Sequence, residues 1–197
     1  LAGLRSAAET LRVHDRQLGD DERHELLTAM DTSVARLTTM VSDLLDMSRL
    51  QTGAVIPIAN DVPLSEIVRR ALAGIEGAEA VQVRELPTAY VDAGLLERVV
   101  ANLVANALRF SEVVEIDGCE VGSRVRLRVV DHGPGVAAAD RGRIFEPFQR
   151  QGDVGTGVGL GLAVARGLTE AQGGSLEAEA TPGGGLTMVV ELPGAGA

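Results

Sequence analysis

Tryptophan is absent, tyrosine occurs once and phenylalanine three times, so aromatic residues make up only 2% of the 197 positions. No apolar run approaches the roughly 18 residues that a membrane helix needs, and no signal-peptide pattern opens the chain. The single Cys119 permits no internal disulfide and suits the cytosol. It is expected as a small buried residue on or near a strand. Basic residues are the minority: 18 Lys plus Arg stand against 28 Asp plus Glu, a formal net charge of −10. That balance argues against nucleic acid as a partner, because phosphate backbones attract basic surfaces. A small phosphate-bearing ligand stays compatible with it, since backbone N–H groups and one or two local arginines can hold one. No G-x-x-x-x-G-K-[ST] phosphate loop occurs.

What is present is a chain of 45% hydrophobic residues, enough for one good core and a smaller element. Residues 1–12 have helical composition, and residues 14–19 read as a polar connection. Asp20-Asp21-Glu22 opens a long helix expected to run to about Gln51, with its acidic residues at the positive end of the helix dipole. Along it Leu27, Met30, Val34, Leu37, Val41 and Leu44 step by 3, 4, 3, 4, 3, a heptad seam. Two helices cannot bury such a seam alone, so a second copy is expected, giving a four-helix bundle. Packing of the hairpin on the following domain is the alternative.

Gly53 marks the stop, dividing an expected hairpin domain (1–52) from a second domain (53–197). In the second, strands are expected at 55–58, 81–86, 90–91, 113–116, 124–130, 175–180 and 186–192. Helices are expected at 63–73, from the cap Asp92 to about Phe110, and at 159–172. Between them lies a looser segment, 134–156, with one short helix. Strands interleaved with three helices suggest one sheet covered on one face, an α/β sandwich.

Four blocks carry the chemistry. Asn102-Leu103-Val104-Ala105-Asn106-Ala107-Leu108-Arg109-Phe110-Ser111 puts two amides at i and i+4 on one helix face, with Arg109 nearly in line. Buried amides need partners; helix-to-loop hydrogen bonds or a magnesium–triphosphate site would both supply them. Asp131-His132-Gly133-Pro134-Gly135 ends an alternating strand, so its glycines can lie close to a flat ligand; a simple turn cap is the plainer reading of Asp131. Phe145-Glu146-Pro147-Phe148-Gln149-Arg150 follows, its phenylalanines suited to core packing or to latching a lid. Last come Gly155, Gly157, Gly159 and Gly161, spaced to leave amides free before a helix, an anion-binding arrangement.

In this order the four blocks resemble the N, G1, F and G2 boxes of the ATP-binding domain of sensor histidine kinases, a branch of the Bergerat-fold ATPases. Asp43-Leu44-Leu45-Asp46-Met47-Ser48-Arg49-Leu50-Gln51, Thr156-Gly157-Val158-Gly159-Leu160-Gly161-Leu162-Ala163 and Pro182-Gly183-Gly184-Gly185-Leu186-Thr187-Met188 are closest to the potassium-responsive, Kdp-type kinases of actinobacteria. The resemblance implies ATP and Mg2+ as ligands. It assigns the metal to Asn106 and a phosphate contact to Arg109, where the family commonly has lysine. Asp131 is expected to accept the adenine amino group, which separates adenine from guanine, with Thr187 in support. Phe110, Gly133, Gly135, Gly155, Gly157, Val158, Gly159, Leu160 and Gly161 are expected to complete the nucleotide contacts. Hydrolysing relatives carry a glutamate where Asn102 stands. An amide cannot serve as that base, so the site is expected to hold ATP without rapid hydrolysis, Asn102 belonging to the catalytic set with Asn106 and Arg109.

The resemblance further implies a homodimer, a response-regulator receiver domain as partner, and a membrane-anchored parent of which this is a cytoplasmic part. The family's His-Asp/Glu-x-x-x-Pro acceptor motif fits neither His14 nor His24, and His132 belongs to the nucleotide block. The acceptor is therefore expected just upstream of Leu1, and this stretch is expected to bind ATP without phosphorylating itself. A non-catalytic, ATP-sensing dimerisation module is the alternative. A serine kinase of the anti-sigma type shares the fold but lacks the long heptad helix.

Overall fold

A computed structural model describes residues 2–14, 19–149 and 159–196. The chain divides into two compact units, Leu1–Leu45 and Asp46–Ala197.

The first unit contains α1 (Ala2–His14) and most of α2 (Asp20–Gln51). Glu22 reaches back from the first turn of α2 to accept the Gly19 N–H at 3.0 Å, one half of a capping box. Hydroxyls along α2 return to carbonyls one turn back, as Thr32 does to Thr28 at 2.8 Å. Leu26, Met30 and Leu37 are half-buried, whereas Leu27, Val34, Val41 and Leu44 stand exposed in the single chain. At its far end Gly53 turns left-handed (φ 65°) and Ala54 N–H returns to the Arg49 carbonyl at 2.9 Å, a helix stop that glycine makes without strain.

The second unit is a five-stranded mixed sheet in the order β2-β4-β5-β7-β6, with a separate ribbon β1-β3. The strands are β1 (Asn60–Pro63), β2 (Val81–Val83), β3 (Thr88–Val91), β4 (Val114–Val121), β5 (Arg124–Asp131), β6 (Ser175–Ala180) and β7 (Leu186–Pro193). Only β2 runs parallel to its neighbour β4. Helices α3 (Leu64–Leu72), α4 (Ala93–Leu108) and α5 (Gly161–Ala171) share one core with the sheet. Ile67, Leu96, Leu103 and Leu168 from the helices bury beside Ile116, Leu127, Val190 and Leu192 from the strands. The last turns of α2 belong to this unit. Arg98 Nε meets Asp46 Oδ2 at 2.6 Å, and a β-carbon on Gly167 would lie 2.6 Å from Leu50. Among the described residues no helix is long and apolar enough to cross a membrane.

Three expectations need correction. Residues 55–58 are extended but form no strand: Ile56 and Ile58 are exposed, and Ile58 N–H goes to Asp92 Oδ2 at 2.8 Å instead of a ladder. The pairing with β3 begins at Asn60. Strand β2 stops at Val83, three residues early, while β4 runs on to Val121. Cys119 lies on that added length and is exposed, not buried, opposite Arg126 of β5.

Candidate nucleotide-binding site

Helix α4 owes its start to Asp92, whose Oδ1 accepts the N–H groups of Gly94 and Leu95 at 3.0 and 3.1 Å. Its apolar face (Leu96, Val99, Val100, Leu103, Val104) is fully buried. That packing fixes the rotation of the helix and hence the direction of its two asparagines. Asn102 meets the first residue of α5: a β-carbon on Gly161 would lie 3.6 Å from Asn102 Oδ1. The Asn102 Nδ2 is buried and, among the described residues, has no hydrogen-bond partner. A donor left in that state costs about 1–3 kcal/mol. Asn106, one turn on, is half-buried. Arg109 follows as the C-cap, its guanidinium 5.5 Å from the centre of the Phe110 ring.

Asp131 closes β5 and is 4% exposed. Its Oδ1 accepts two backbone N–H groups, from Gly133 at 2.9 Å and from Leu186 at 3.1 Å. Oδ2 takes part in neither of these bonds. The turn after Asp131 lies against the end of α4. A β-carbon on Gly133 would sit 2.6 Å from the Phe110 carbonyl oxygen, so only glycine fits. His132 N–H donates to Ser111 Oγ at 3.2 Å across the same seam. On the other side, the Gly183–Gly185 turn presses on the Asp131 carbonyl, again with no room for a β-carbon at Gly185. Phe110 and Ser111 just past the end of α4, the Asp131–Gly135 turn and the Gly183–Gly185 turn are thus brought together, with Asn106 in the last turn of α4 and Arg109 as its C-cap.

Thr187, expected in support of the adenine, lies on β7. It pairs with Val130 in the ladder, and its Oγ1 bonds to Thr181 Oγ1 at 2.9 Å. The glycine run is described only from Gly159; Gly155, Gly157 and Val158 lie outside the described residues. Leu160 is the N-cap of α5 and Gly161 its first residue. Phe148 N–H donates to the Gly159 carbonyl at 2.9 Å. Of the two phenylalanines, Phe145 is in the core, with Arg166 5.5 Å above its ring. Phe148 is 63% exposed and holds a φ of 64°, a conformation that strains a bulky residue.

Sequence reasoning missed Leu186 as the second donor to Asp131, Ser111 as the tie to His132, and a charged cluster at the rim. Three consecutive glycines before a strand were the available signal for the first. In the cluster, Arg84 Nη2 lies 2.6 Å from Glu115 Oε2 and His132 Nε2 lies 3.3 Å from Glu115 Oε1. Hydrogen bonding from Arg84, then from His132, lowers the Glu115 pKa below its ordinary value.

Residues 91–196 match the family described as histidine kinase-, DNA gyrase B- and HSP90-like ATPase. Residues 1–53 match the His Kinase A (phospho-acceptor) domain. Sensor protein KdpD of Mycobacterium tuberculosis is 43% identical over 98% of this chain and 24% of its own length. Sensor protein KdpD of Rathayibacter rathayi is 48% identical over 83% of this chain and 20% of its own. The chain therefore spans about a quarter or less of these curated relatives. Among solved structures, full-length ShkA in complex with AMPPNP superposes with a TM-score of 0.72 at 31% identity, covering 94% of this chain and 41% of that one.

Proposed function

From the premise that the chain belongs to the sensor histidine kinases, as a His Kinase A element followed by the ATPase domain, we propose that it binds Mg-ATP and delivers the γ-phosphoryl group to a histidine. The observation that carries this reading is the state of Asp131. Its carboxylate is buried, with one oxygen holding two backbone donors and the other outside both of those bonds. A carboxylate so held accepts the N–H of an adenine amino group and rejects the carbonyl of guanine.

The rest of the site fits a triphosphate. Arg109 supplies the cation and the start of α5 supplies free amides. Asn106 supplies an oxygen of the kind magnesium takes. The buried Nδ2 of Asn102 marks a donor without a partner among the described residues, beside α5. Magnesium held by Asn106 would neutralise charge on the phosphate oxygens. With asparagine at 102, no carboxylate stands there to activate water. The chain's own work is then positioning and charge compensation, the main resources of phosphoryl transfer.

The acceptor is a histidine preceding Leu1, and the phosphoryl group passes on to a response-regulator receiver domain. The exposed seam Leu27, Val34, Val41 and Leu44 pairs with that of a second copy. The parent is a membrane-anchored sensor, with potassium-uptake transcription as the output, following the similarity to KdpD.

Phosphorylation from γ-labelled Mg-ATP tests this, comparing the present chain with one extended upstream through the acceptor motif. Acid-labile, alkali-stable label on the extended chain alone, lost in Asn106→Ala, is the expected result. ATP binding without label on either chain would replace the kinase reading with an ATP-sensing dimerisation module.

A further inference from the structure

Thr181 and Thr187 are the two ends of a turn whose middle is three consecutive glycines. Gly183, Gly184 and Gly185 all hold positive φ, at 89°, 114° and 113°. Such a run has wide conformational freedom and loses much entropy when fixed. Yet the next residue, Leu186, must hold its N–H on Asp131 Oδ1. Something has to pin the turn. Two backbone bonds begin the task, Thr181 N–H to Gly185 O at 3.2 Å and Gly184 N–H to Thr181 O at 3.0 Å. The side chains complete it: the two threonine hydroxyls meet at 2.9 Å, both buried, at 6% and 5% exposure.

The hydroxyl pair lies behind the site. Cross-strand partners share a face of a sheet and successive residues alternate. Thr187 shares its face with Val130, so Asp131, one residue on, points the other way. The pair therefore acts on the ligand only through the backbone between Thr187 and Leu186. We infer that the Thr181–Thr187 hydroxyl pair is a positioning device for base recognition. It holds the Leu186 N–H on Asp131, which fixes the carboxylate plane and aims Oδ2 at the adenine amino group. The inference rests on the reading of Asp131 as the adenine acceptor and extends it to Thr181, which is not among the residues proposed to hold the nucleotide.

The test is calorimetric binding of Mg-ATP and Mg-GTP to the chain and to Thr181→Val, Thr181→Ser and Thr181→Val/Thr187→Val, with amide exchange at Leu186 and Val190. Thr181→Val keeps the shape and removes the bond. Its affinity for ATP should fall about fivefold, the worth of one net hydrogen bond. Its preference for ATP over GTP should shrink, and Leu186 should exchange faster while Val190 does not. Thr181→Ser should retain the wild-type values. The double variant leaves no orphaned hydroxyl, so its stability should recover while its discrimination stays low. That variant also decides the matter if Thr181→Val does not fold. Unchanged discrimination and unchanged Leu186 exchange in the valine variants would overturn the positioning role alone. A wild-type chain that binds ATP and GTP equally would overturn the adenine reading itself, and the positioning role with it.

Discussion

Gln172 accepts the backbone N–H of Asp92 on its side-chain oxygen at 2.9 Å, tying the start of α4 to the end of α5 across 80 positions of sequence. The same glutamine donates to the Leu168 carbonyl at 3.0 Å, inside α5. Asp92 in turn spends one carboxylate oxygen on the α4 cap and the other on Ile58 N–H. The two helices that flank the candidate site are therefore held in register from the end opposite Asn106.

Replacing Asp92 by alanine removes the cap and leaves the Ile58 amide without its acceptor. Loss of a good N-cap costs about 1–2 kcal/mol. Urea unfolding of Asp92→Ala should show at least that loss, and Asp92→Asn, which caps nearly as well, should show less. Equal midpoints for Asp92→Ala and wild type would mean that the junction carries no stability.

The cap at Asp92 and the limits of α2 were legible in the sequence because each is a local signal: an acidic residue before an apolar helix, an acidic first turn, a glycine stop. The strand at Asn60–Pro63 was not, because its apolar alternation is weaker than that of the preceding Val55-Ile56-Pro57-Ile58. Pairing with β3, a non-local choice, decides it. The second half of β4 was hidden for a related reason. Gly118 and Glu120 break the apolar alternation begun by Val114 and Ile116, and the strand is held there by its β5 partners, with Arg128 bonding to Asp117 at 2.8 Å. In the candidate site the residue types were readable, and Asn102, Asn106 and Arg109 follow from helical spacing. The donor from Leu186 to Asp131 comes from 55 positions away; the Gly183-Gly184-Gly185 run marks a turn there but not the partner it reaches.

Asp131→Asn keeps the shape of the buried side chain and can keep both backbone bonds on its remaining oxygen. The amide then presents N–H donors where the adenine amino group also donates. Discrimination should move away from adenine and towards a base with a carbonyl at that position. A misplaced buried donor costs about 1–3 kcal/mol, so ATP affinity should fall about five- to a hundredfold. Competition between ATP and GTP at equilibrium checks this; an unchanged ratio would remove Asp131 from base recognition.

The Glu115 cluster makes a prediction about pH. Arg84, and then His132, hold the Glu115 carboxyl below its ordinary value in the folded chain. A carboxylate with a depressed folded pKa binds protons more tightly when unfolded. Its contribution to stability is therefore fully present above the unfolded value, about 4.3 for glutamate. It is lost as pH falls through the lower folded value. Thermal unfolding of wild type and Glu115→Gln should thus differ at pH 7 and converge in acid. A gap that persists at pH 2–3 would show that the ion pairs are not its source.

The seam on α2 gives the prediction with the largest expected effect. Val34 and Val41 are 52% and 56% exposed in the single chain, one heptad apart on the long helix. Met30 and Leu37, the alternate positions of the same seam, are half-buried. A helix that leaves alternate positions of an apolar seam open has a face for a partner. If that partner is a second copy, Val34→Glu with Val41→Glu sets four carboxylates into one bundle core, where burying each unpaired charge costs several kcal/mol. Sedimentation velocity should then show a dimer for wild type and a monomer for the double variant. Wild-type monomers at high concentration would leave the seam without a second copy. A dimer that survives both glutamates would move the contact to another surface. Nucleotide binding supplies the control. The residues proposed to hold ATP all lie between Asn102 and Thr187, so the glutamate variant should bind it with wild-type affinity even as a monomer.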